Sequence, residues 1–362
     1  MPPPVEPLTL VHVVFSSRIA GGERHCIDLA NAQADLGHRV HVIGAAGSAV
    51  QALLSPAVRF HGLALPLMRG WRVAALVRRL RADVCHGHLG PACKAVAHVR
   101  GAARVGTLHV GYKAHHHARL DGLVCVNRAQ HDKLPAGAPL ASVIYNWAPE
   151  PEPAAARPTD LRAELGLAPN QMLVGSVGRL HPSKGMDLLI EAFKAHAPAD
   201  AVLAILGEGP DESRLRSLSA GDGRIRLLGY RSDVDQALQA FDLFVSPSRE
   251  EAFPLAILEA MRAGRPVLST STQGPCEMLA GQPARLTPVG DVAALGVALA
   301  EELARLRQLA PAERRVSYAT AAYDRSHAVA RTLGFYRDVM LHRAACARTR
   351  AEQHEVYAGW RA

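Results

Sequence analysis

Aromatic residues make up only 5% of this 362-residue chain, and its six cysteines include no pair separated by two residues. Scarce aromatics leave nothing like the stacking platform of a single-strand RNA binder. Scattered thiols, Cys26, Cys85, Cys93, Cys125, Cys276 and Cys346, exclude a disulfide scaffold or a Cys-based zinc module and point to reduced, mostly buried side chains. No apolar run approaches the roughly 18 residues of a membrane span. The opening residues lack the basic and apolar regions of a secretory signal, so a cytoplasmic location is expected. Low-complexity segments, internal repeats, a helix-turn-helix signature and the Gly-x-Gly-x-x-Gly of dinucleotide folds are all missing, the last counting against a nicotinamide enzyme.

What is present is a globular composition, 49% hydrophobic and 20% charged, long enough for two cores. The net charge of +8 is unevenly placed: residues 1–150 hold 16 Lys and Arg against 8 Asp and Glu, while 151–362 hold 25 of each. A basic first half would attract an anionic membrane surface, a phosphorylated acceptor or nucleic acid, and would equally serve solubility.

From Leu8 to Val143 short apolar runs alternate with helical patterns, the rhythm of a parallel sheet wrapped by helices. Expected strands are 10–15, 39–44, 84–86, 104–109, 122–126 and 142–145. Four prolines between Ala148 and Pro158 read as a stiff connector. The rhythm restarts with strands 172–177, 202–206, 225–228 and 243–248. The expected fold class is therefore α/β, two doubly wound Rossmann-like domains facing a central cleft. The first spans 1–150, the second 151–326, and a nearly all-helical region beyond Val292 ends in a segment, about 327–362, that packs back on the first domain.

Ligands of doubly wound sheets sit beyond the carboxyl ends of the strands. Glu251 and Glu259 stand there, one before and one inside a short helix that begins at Pro254 and ends at Gly264. Eight helical positions span about 12 Å or less, too far for most acid/base pairs that cleave one glycosidic bond, at roughly 5–9.5 Å, but suited to gripping the hydroxyls of a nucleotide sugar. The loop from Gly178 to Gly185 brings Arg179 and Lys184 to a helix start, where fork, point charge and helix dipole favour an anion such as a leaving diphosphate; a solvated cationic loop is the plainer alternative. Gly21 and Gly22 precede another helix, 24–36, where they would allow close backbone approach to a phosphate or sugar; a tight turn explains the pair equally well. His109 ends a strand at its carboxyl edge, where it would hydrogen-bond a sugar hydroxyl or the forming bond; a satisfied strand-end histidine is the plainer alternative. His86, His88 and the run His115 to His117 are imidazole donors, yet no Cys pair or helical His/carboxylate set completes them, and no metal is expected. The stretch 70–81 puts Val73, Leu76, Val77 and Leu80 on one face beside Trp71, Arg72, Arg78, Arg79 and Arg81: an ordinary sheet-packed helix or an interfacial one.

Taken in order, Gly21 to Glu23, Thr107 to His109, Asp121 to Asn127, Val143 to Asn146, Val177 to Gly185, Leu206 to Pro210, Leu228 to Tyr230, the Glu251/Glu259 motif and Gly274 to Glu277 resemble glycosyltransferase family 4, the group 1 enzymes with the two-domain GT-B arrangement. The likeness covers nearly the whole chain. It implies a retaining, metal-independent transfer with a UDP- or GDP-sugar as co-substrate and no other cofactor. It further implies that Arg179 and Lys184 bind the diphosphate and that Glu259 takes the ribose hydroxyls. Glu251, with the backbone of Phe253 and Leu255, would hold the transferred sugar, while Gly22 and His109 approach it from the first domain and Tyr230 and Arg231 border the base. The family usually has glycine where this chain has Ala252 and Pro254, and proline removes one backbone donor. The expected acceptor is a lipopolysaccharide-core, polysaccharide or lipid-linked glycan at the cytoplasmic membrane face, with no nucleic-acid partner. A sugar-nucleotide epimerase on the same fold and a nucleic-acid-binding protein using the basic half are the rivals.

Overall fold

The computed structural model describes residues 6–16, 19–147 and 160–359, with side chains of the last helix described as far as 349. Packing divides the chain into two compact units, Met1–Asn146 with Arg325–Ala362 and Trp147–Asp324. The proline-rich stretch expected as a connector, 148–158, lies outside the described residues.

The first unit is built on seven strands: β1 (Thr9–Val13), β2 (Arg39–Ala45), β3 (Arg59–Leu63), β4 (Val84–His88), β5 (Ala103–Leu108), β6 (Gly122–Cys125) and β7 (Leu140–Val143). They lie in the order β3-β2-β1-β4-β5-β6-β7, with every neighbouring pair parallel. Every residue of β1, β4 and β6 is buried, as expected of central strands covered on both faces. β3 is not among the expected strands. It is an edge strand in which Arg59 and Gly62 are exposed and Phe60 and His61 only partly buried, so the apolar run that marks the central strands is missing. Helix Arg69–Leu80 turns Val73 and Val77 into the core with Leu76 and Leu80 packed against it, so the apolar stripe considered for lipid contact faces the sheet.

The final helix, Arg325–Gly359, belongs to this first unit. Tyr336 is fully buried and its hydroxyl meets His86 Nδ1 at 2.6 Å. Val339 and Phe335 press on Gly122, where a Cβ would lie 2.5 Å from Val339 and 3.1 Å from Phe335. The region beyond Val292 is less helical than expected. After helix Val292–Arg307, residues 308–320 form no regular element before a short 3-10 turn at Ala321–Tyr323.

The second unit holds β8 (Met172–Val177), β9 (Ala201–Leu206), β10 (Ile225–Leu227), β11 (Leu243–Ser246), β12 (Val267–Thr270) and β13 (Arg285–Thr287), in the parallel order β10-β9-β8-β11-β12-β13. β12 and β13 extend the sheet past the strands foreseen. Helices Met186–His196 and Val292–Arg307 bury Leu189, Phe193, Leu299 and Leu303 against Leu203 and Ile205. Among the described residues no helix is long and apolar enough to cross a membrane.

Each strand order reverses direction once, between β1 and β4 in the first sheet and between β8 and β11 in the second. Helices leave to opposite faces at such a reversal, so the loops after these strands part and leave a crevice.

Candidate active site

In the second unit the crevice is bordered by the loop after β8 and the loop after β11. The first closes in a 3-10 turn, Pro182–Lys184, and ends on Gly185 at φ +65°. A Cβ there would sit 2.0 Å from the Pro247 carbonyl oxygen, so both the left-handed backbone and the approach of the neighbouring loop require glycine. The two loops are stitched together. Arg249 N donates to Ser183 O at 2.8 Å, Glu250 N to the same oxygen at 3.2 Å, and Arg249 Nη1 to Pro182 O at 2.9 Å.

This stitching brings Lys184 and Glu251 together as an ion pair, 67 positions apart in sequence, with side chains 30% and 12% exposed. Arg179, on the same loop as Lys184, is exposed and has no ion-pair partner among the described residues. The loop is braced from the other side by β9. Leu180 N bonds Glu208 O at 2.9 Å, and Cβ atoms on Gly207 and Gly209 would lie 1.9 Å and 2.2 Å from the carbonyl oxygens of Gly178 and Leu180.

Beneath the stitch lies Asp187, which was not foreseen. Its carboxylate accepts from Arg249 at 2.7 and 2.8 Å and from Arg214 at 3.0 Å. Burial alone would raise its pKa, but hydrogen bonds from Arg249 and then Arg214 outweigh it and hold the group at about 2. Asp187 opens helix Met186–His196, where a carboxylate is also favoured by the helix dipole. Its place three residues after Lys184 was visible in sequence. Its partner, 62 positions away, was not.

Past Glu251 the chain enters helix Leu255–Arg262, which starts one residue later than expected, with Pro254 as the cap and no side chain capping the first turn. Uncapped first-turn amides favour an anion or a hydroxyl oxygen. Phe253 is 4% exposed and its ring meets Tyr323 edge-on at 5.5 Å, so the side chain is core and only its backbone faces the loop. Leu255 and Glu259 are half-buried. Gly274 N bonds Glu251 O at 3.1 Å, and a Cβ on Gly274 would meet Ala252 O at 2.2 Å, so the helix Gln273–Met278 backs the acidic loop. After β10, Tyr230 is 71% exposed. Arg231 is committed to Asp233 and Glu164, each at 2.7 Å, which holds its pKa up and leaves Tyr230 as the open surface of this pair.

In the first unit the equivalent edge holds Gly22 and His109. Gly22 lies in the first turn of helix Gly21–Asp35, and a Cβ there would touch Leu89 at 3.0 Å and His109 at 3.5 Å. Glu23, quoted above for the resemblance, is 4% exposed and accepts the Ala20 amide at 3.0 Å, closing the helix start. Leu89 follows β4 at φ +69°, ψ 156°, a conformation rarely held by a branched side chain. Strain of this kind sits where surrounding packing over-determines a loop.

Around His109 the unit gathers histidines that sequence left apart. His12, His86 and His88 form one group and His25, His88 and His109 another, with ring nitrogens within 4.8 Å in each. His12 pairs with His86 in the β1/β4 register, so both point into one layer. Their nitrogens are largely taken by hydrogen bonds: His12 to Gln33 at 2.7 Å and to His88 at 3.0 Å, His86 to Tyr336 at 2.6 Å and Thr107 at 2.8 Å. His115 to His117 stand apart in a short helix, Ala114–His117, where His117 accepts the Lys113 amide at 2.9 Å.

Two doubly wound parallel α/β domains, one carrying a cationic loop at its switch point, define the GT-B architecture. Two family models match the chain, one described as Glycosyltransferase Family 4 over residues 19–147 and one as Glycosyl transferases group 1 over residues 171–306. The chain belongs to this glycosyltransferase family. It is 35% identical over 133 residues to the lipopolysaccharide core biosynthesis mannosyltransferase LpsB of Rhizobium meliloti (strain 1021), 34% of this chain and 38% of that protein. It is 37% identical over 118 residues to the UDP-Gal:alpha-D-GlcNAc-diphosphoundecaprenol alpha-1,3-galactosyltransferase of Escherichia coli, 30% of each. These matches span less than half the length of either relative. The crystal structure of Anabaena HepE in complex with UDP and glucose superposes at a TM-score of 0.75 and 22% identity, over 91% of this chain and all of that one. The glycosyltransferase WaaG, involved in lipopolysaccharide biosynthesis, superposes at 0.66 and 17% over 84% and 93%.

Proposed function

We propose that this chain transfers a hexose-type sugar from a UDP- or GDP-sugar to a glycan acceptor, with retention of configuration and no metal requirement. The observation that carries this reading is the Lys184–Glu251 pair across the β8/β11 crevice, with Arg179, which has no ion-pair partner among the described residues, on the same loop. A diphosphate entering there meets two fixed positive charges. Lys184 can leave Glu251 for the phosphate oxygens, which frees the carboxylate to accept from sugar hydroxyls. In this reading Glu259 takes the ribose, the backbone at Phe253 and Leu255 the sugar, and exposed Tyr230 beside Arg231 the base. Gly22 and His109 of the first unit are assigned to the sugar by the family resemblance. UDP is the first nucleotide to test, since the HepE structure holds it.

The acceptor we infer is a lipopolysaccharide-core or lipid-linked glycan, as the names of LpsB and of the undecaprenol-linked galactosyltransferase support. A peripheral position on the cytoplasmic membrane face fits a different surface from the one foreseen. Leu65, Leu67, Met68 and Trp71 are each more than 60% exposed, with Arg72 lining the same patch and Arg78, Arg79 and Arg81 further along the chain. Apolar anchors with arginines on the adjoining helix suit an anionic lipid surface.

Thermal-shift measurement with UDP, GDP, ADP and their sugars tests the donor, since binding to the native state raises the melting temperature. A uridine or guanosine diphosphate should stabilise the second unit. Lys184→Ala should cost about 10²–10³ in turnover, the usual loss when one electrostatic stabiliser is removed, with far-UV CD unchanged. Full activity in that folded variant would refute the assignment. Free nucleotide and an isomerised sugar without glycan product would instead indicate an epimerase.

A further inference from the structure

The buried histidines around His109 form a chain with a definite sense. His12 Nε2 lies 2.7 Å from Gln33 Oε1, His12 Nδ1 lies 3.0 Å from His88 Nε2, and His88 Nδ1 lies 3.4 Å from His109 Nε2. His12 and His88 are fully buried and His109 is partly exposed at the carboxyl edge of the sheet. Burial drives the pKa of His12 and of His109 down to about 4, and that of His88 well below its ordinary value. All three rings are therefore neutral near pH 7. A neutral imidazole has one N–H and one lone pair, so fixing the role of one nitrogen at one end of such a chain fixes all the others.

Gln33 sets that end. Its side chain is buried with the amide oxygen on His12, and its amide nitrogen has no hydrogen-bond partner among the described residues. Burial pushes the Tyr336 phenol up while the Gln33 amide beside it works the other way, as an N–H aimed at the phenol oxygen does. The Gln33 oxygen is then left for His12, and an amide oxygen only accepts. His12 Nε2 must donate to it and His12 Nδ1 must accept from His88 Nε2. His88 Nδ1 in turn accepts from His109 Nε2.

We propose that Gln33, His12 and His88 are positioning residues that lock His109 as its Nε2–H tautomer, leaving Nδ1 as a lone pair at the crevice to accept from a sugar hydroxyl. The last clause rests on the placement of His109 beside the sugar proposed above. The lock does not. Because the chain terminates on an amide oxygen, it has no group that takes up a proton, so it orients His109 and does not drain protons from it. In the His12, His86 and His88 group both nitrogens of His12 and of His86 are already bonded at 2.6–3.0 Å, so their lone pairs do not converge on one point.

Nitrogen-15 spectra of the full-length protein, with ring signals assigned by single-histidine replacement, test the lock without any ligand. In the wild type at pH 7 the pyrrole-type signal of His109 should belong to Nε2 and the pyridine-type signal to Nδ1. The reverse assignment overturns the proposal. Gln33→Glu should reverse it by design. A carboxylate charges His12, whose Nδ1 then donates to His88 Nε2, and His88 Nδ1 donates to His109 Nε2, leaving the proton of His109 on Nδ1. A folded Gln33→Glu protein in which His12 is charged and His109 keeps its tautomer overturns the proposal. Should burying that carboxylate prevent folding, His12→Phe keeps a ring in place, breaks the chain and should give His109 a mixture of both tautomers; an unmixed Nε2–H signal there overturns it. A stoichiometric shift of His25, His88 and His109 together on adding zinc also overturns it, because those rings would be ligands rather than links. Finally, UDP-glucose but not UDP should shift His109 Nδ1. If UDP binds, the tautomer is as stated and Nδ1 ignores the sugar, the lock stands and the placement of His109 at the sugar falls.

Discussion

Replacing Asp187 by Asn removes the charge that ties the cationic loop to the acidic one. In the native protein the carboxylate is 4% exposed and hydrogen-bonded by Arg249 and Arg214, which brings its pKa from 3.8 to about 2. That depression corresponds to roughly 2.4 kcal/mol at 1.36 kcal/mol per pKa decade. Arg214 is 55% exposed and Arg249 34%, so solvent screening reduces the expected loss to about 1–2 kcal/mol. The folded pKa lies below the unfolded value, so the stabilisation is fully present above pH 4, falls as pH drops through the range between 3.8 and about 2, and is gone below it. Urea unfolding of wild type and Asp187→Asn, followed in the transition of the second unit, should show a gap of about 1–2 kcal/mol at pH 7 that shrinks to roughly half by pH 3. The variant should also bind the donor diphosphate more weakly, because Arg249 carries the amide that holds Ser183. A gap that is the same at both pH values, or no gap at all, would show that the two arginines do not act through the charge of Asp187.

Other substitutions probe other parts of the argument. Gly185→Ala adds a Cβ against the Pro247 carbonyl at a left-handed backbone position; thermal denaturation should fall by at least the ~1–2 kcal/mol cost of that conformation, and donor binding should weaken with it. Tyr336→Phe leaves His86 Nδ1 buried without its 2.6 Å partner, a loss of about 1–3 kcal/mol measurable by chemical denaturation. Trp71→Ser with Leu67→Ser should reduce retention on anionic vesicles at low salt and leave turnover of a soluble acceptor unchanged; undiminished retention would remove this patch as the membrane contact.

Much of the fold was legible. β6, β8 and β9 are near-continuous apolar runs because parallel central strands are covered on both faces, β1 and β4 are equally buried but carry His12, His86 and His88 within them, and Met186–His196 follows its periodicity closely. Edge strands such as β3 carry no such run and escaped notice. Of the two readings of the helix 69–80 the ordinary sheet-packed one holds, with Val73 and Val77 in the core; the exposure of Leu67 and Met68 just ahead of it carried no local signal.

The site divides the same way. Glycines, cations and carboxylates at strand ends were named from local chemistry alone, because a loop that approaches backbone or anion needs those residue types whatever surrounds it. Which carboxylate meets which cation was settled only by strand order: placing β8 beside β11 puts Lys184 on Glu251 and Arg249 on Asp187, contacts more than 60 residues apart in the chain. Likewise His88 and His109 were named singly for their chemistry, while His12 and Gln33 carried no signal at all. They become a directed chain only once β1 and β4 pair and helix Gly21–Asp35 lays Gln33 beside them. Local propensity is written in short windows of sequence, whereas a hydrogen-bond sense or an ion pair is a property of two groups at one point in space, and only the folded sheet defines that point.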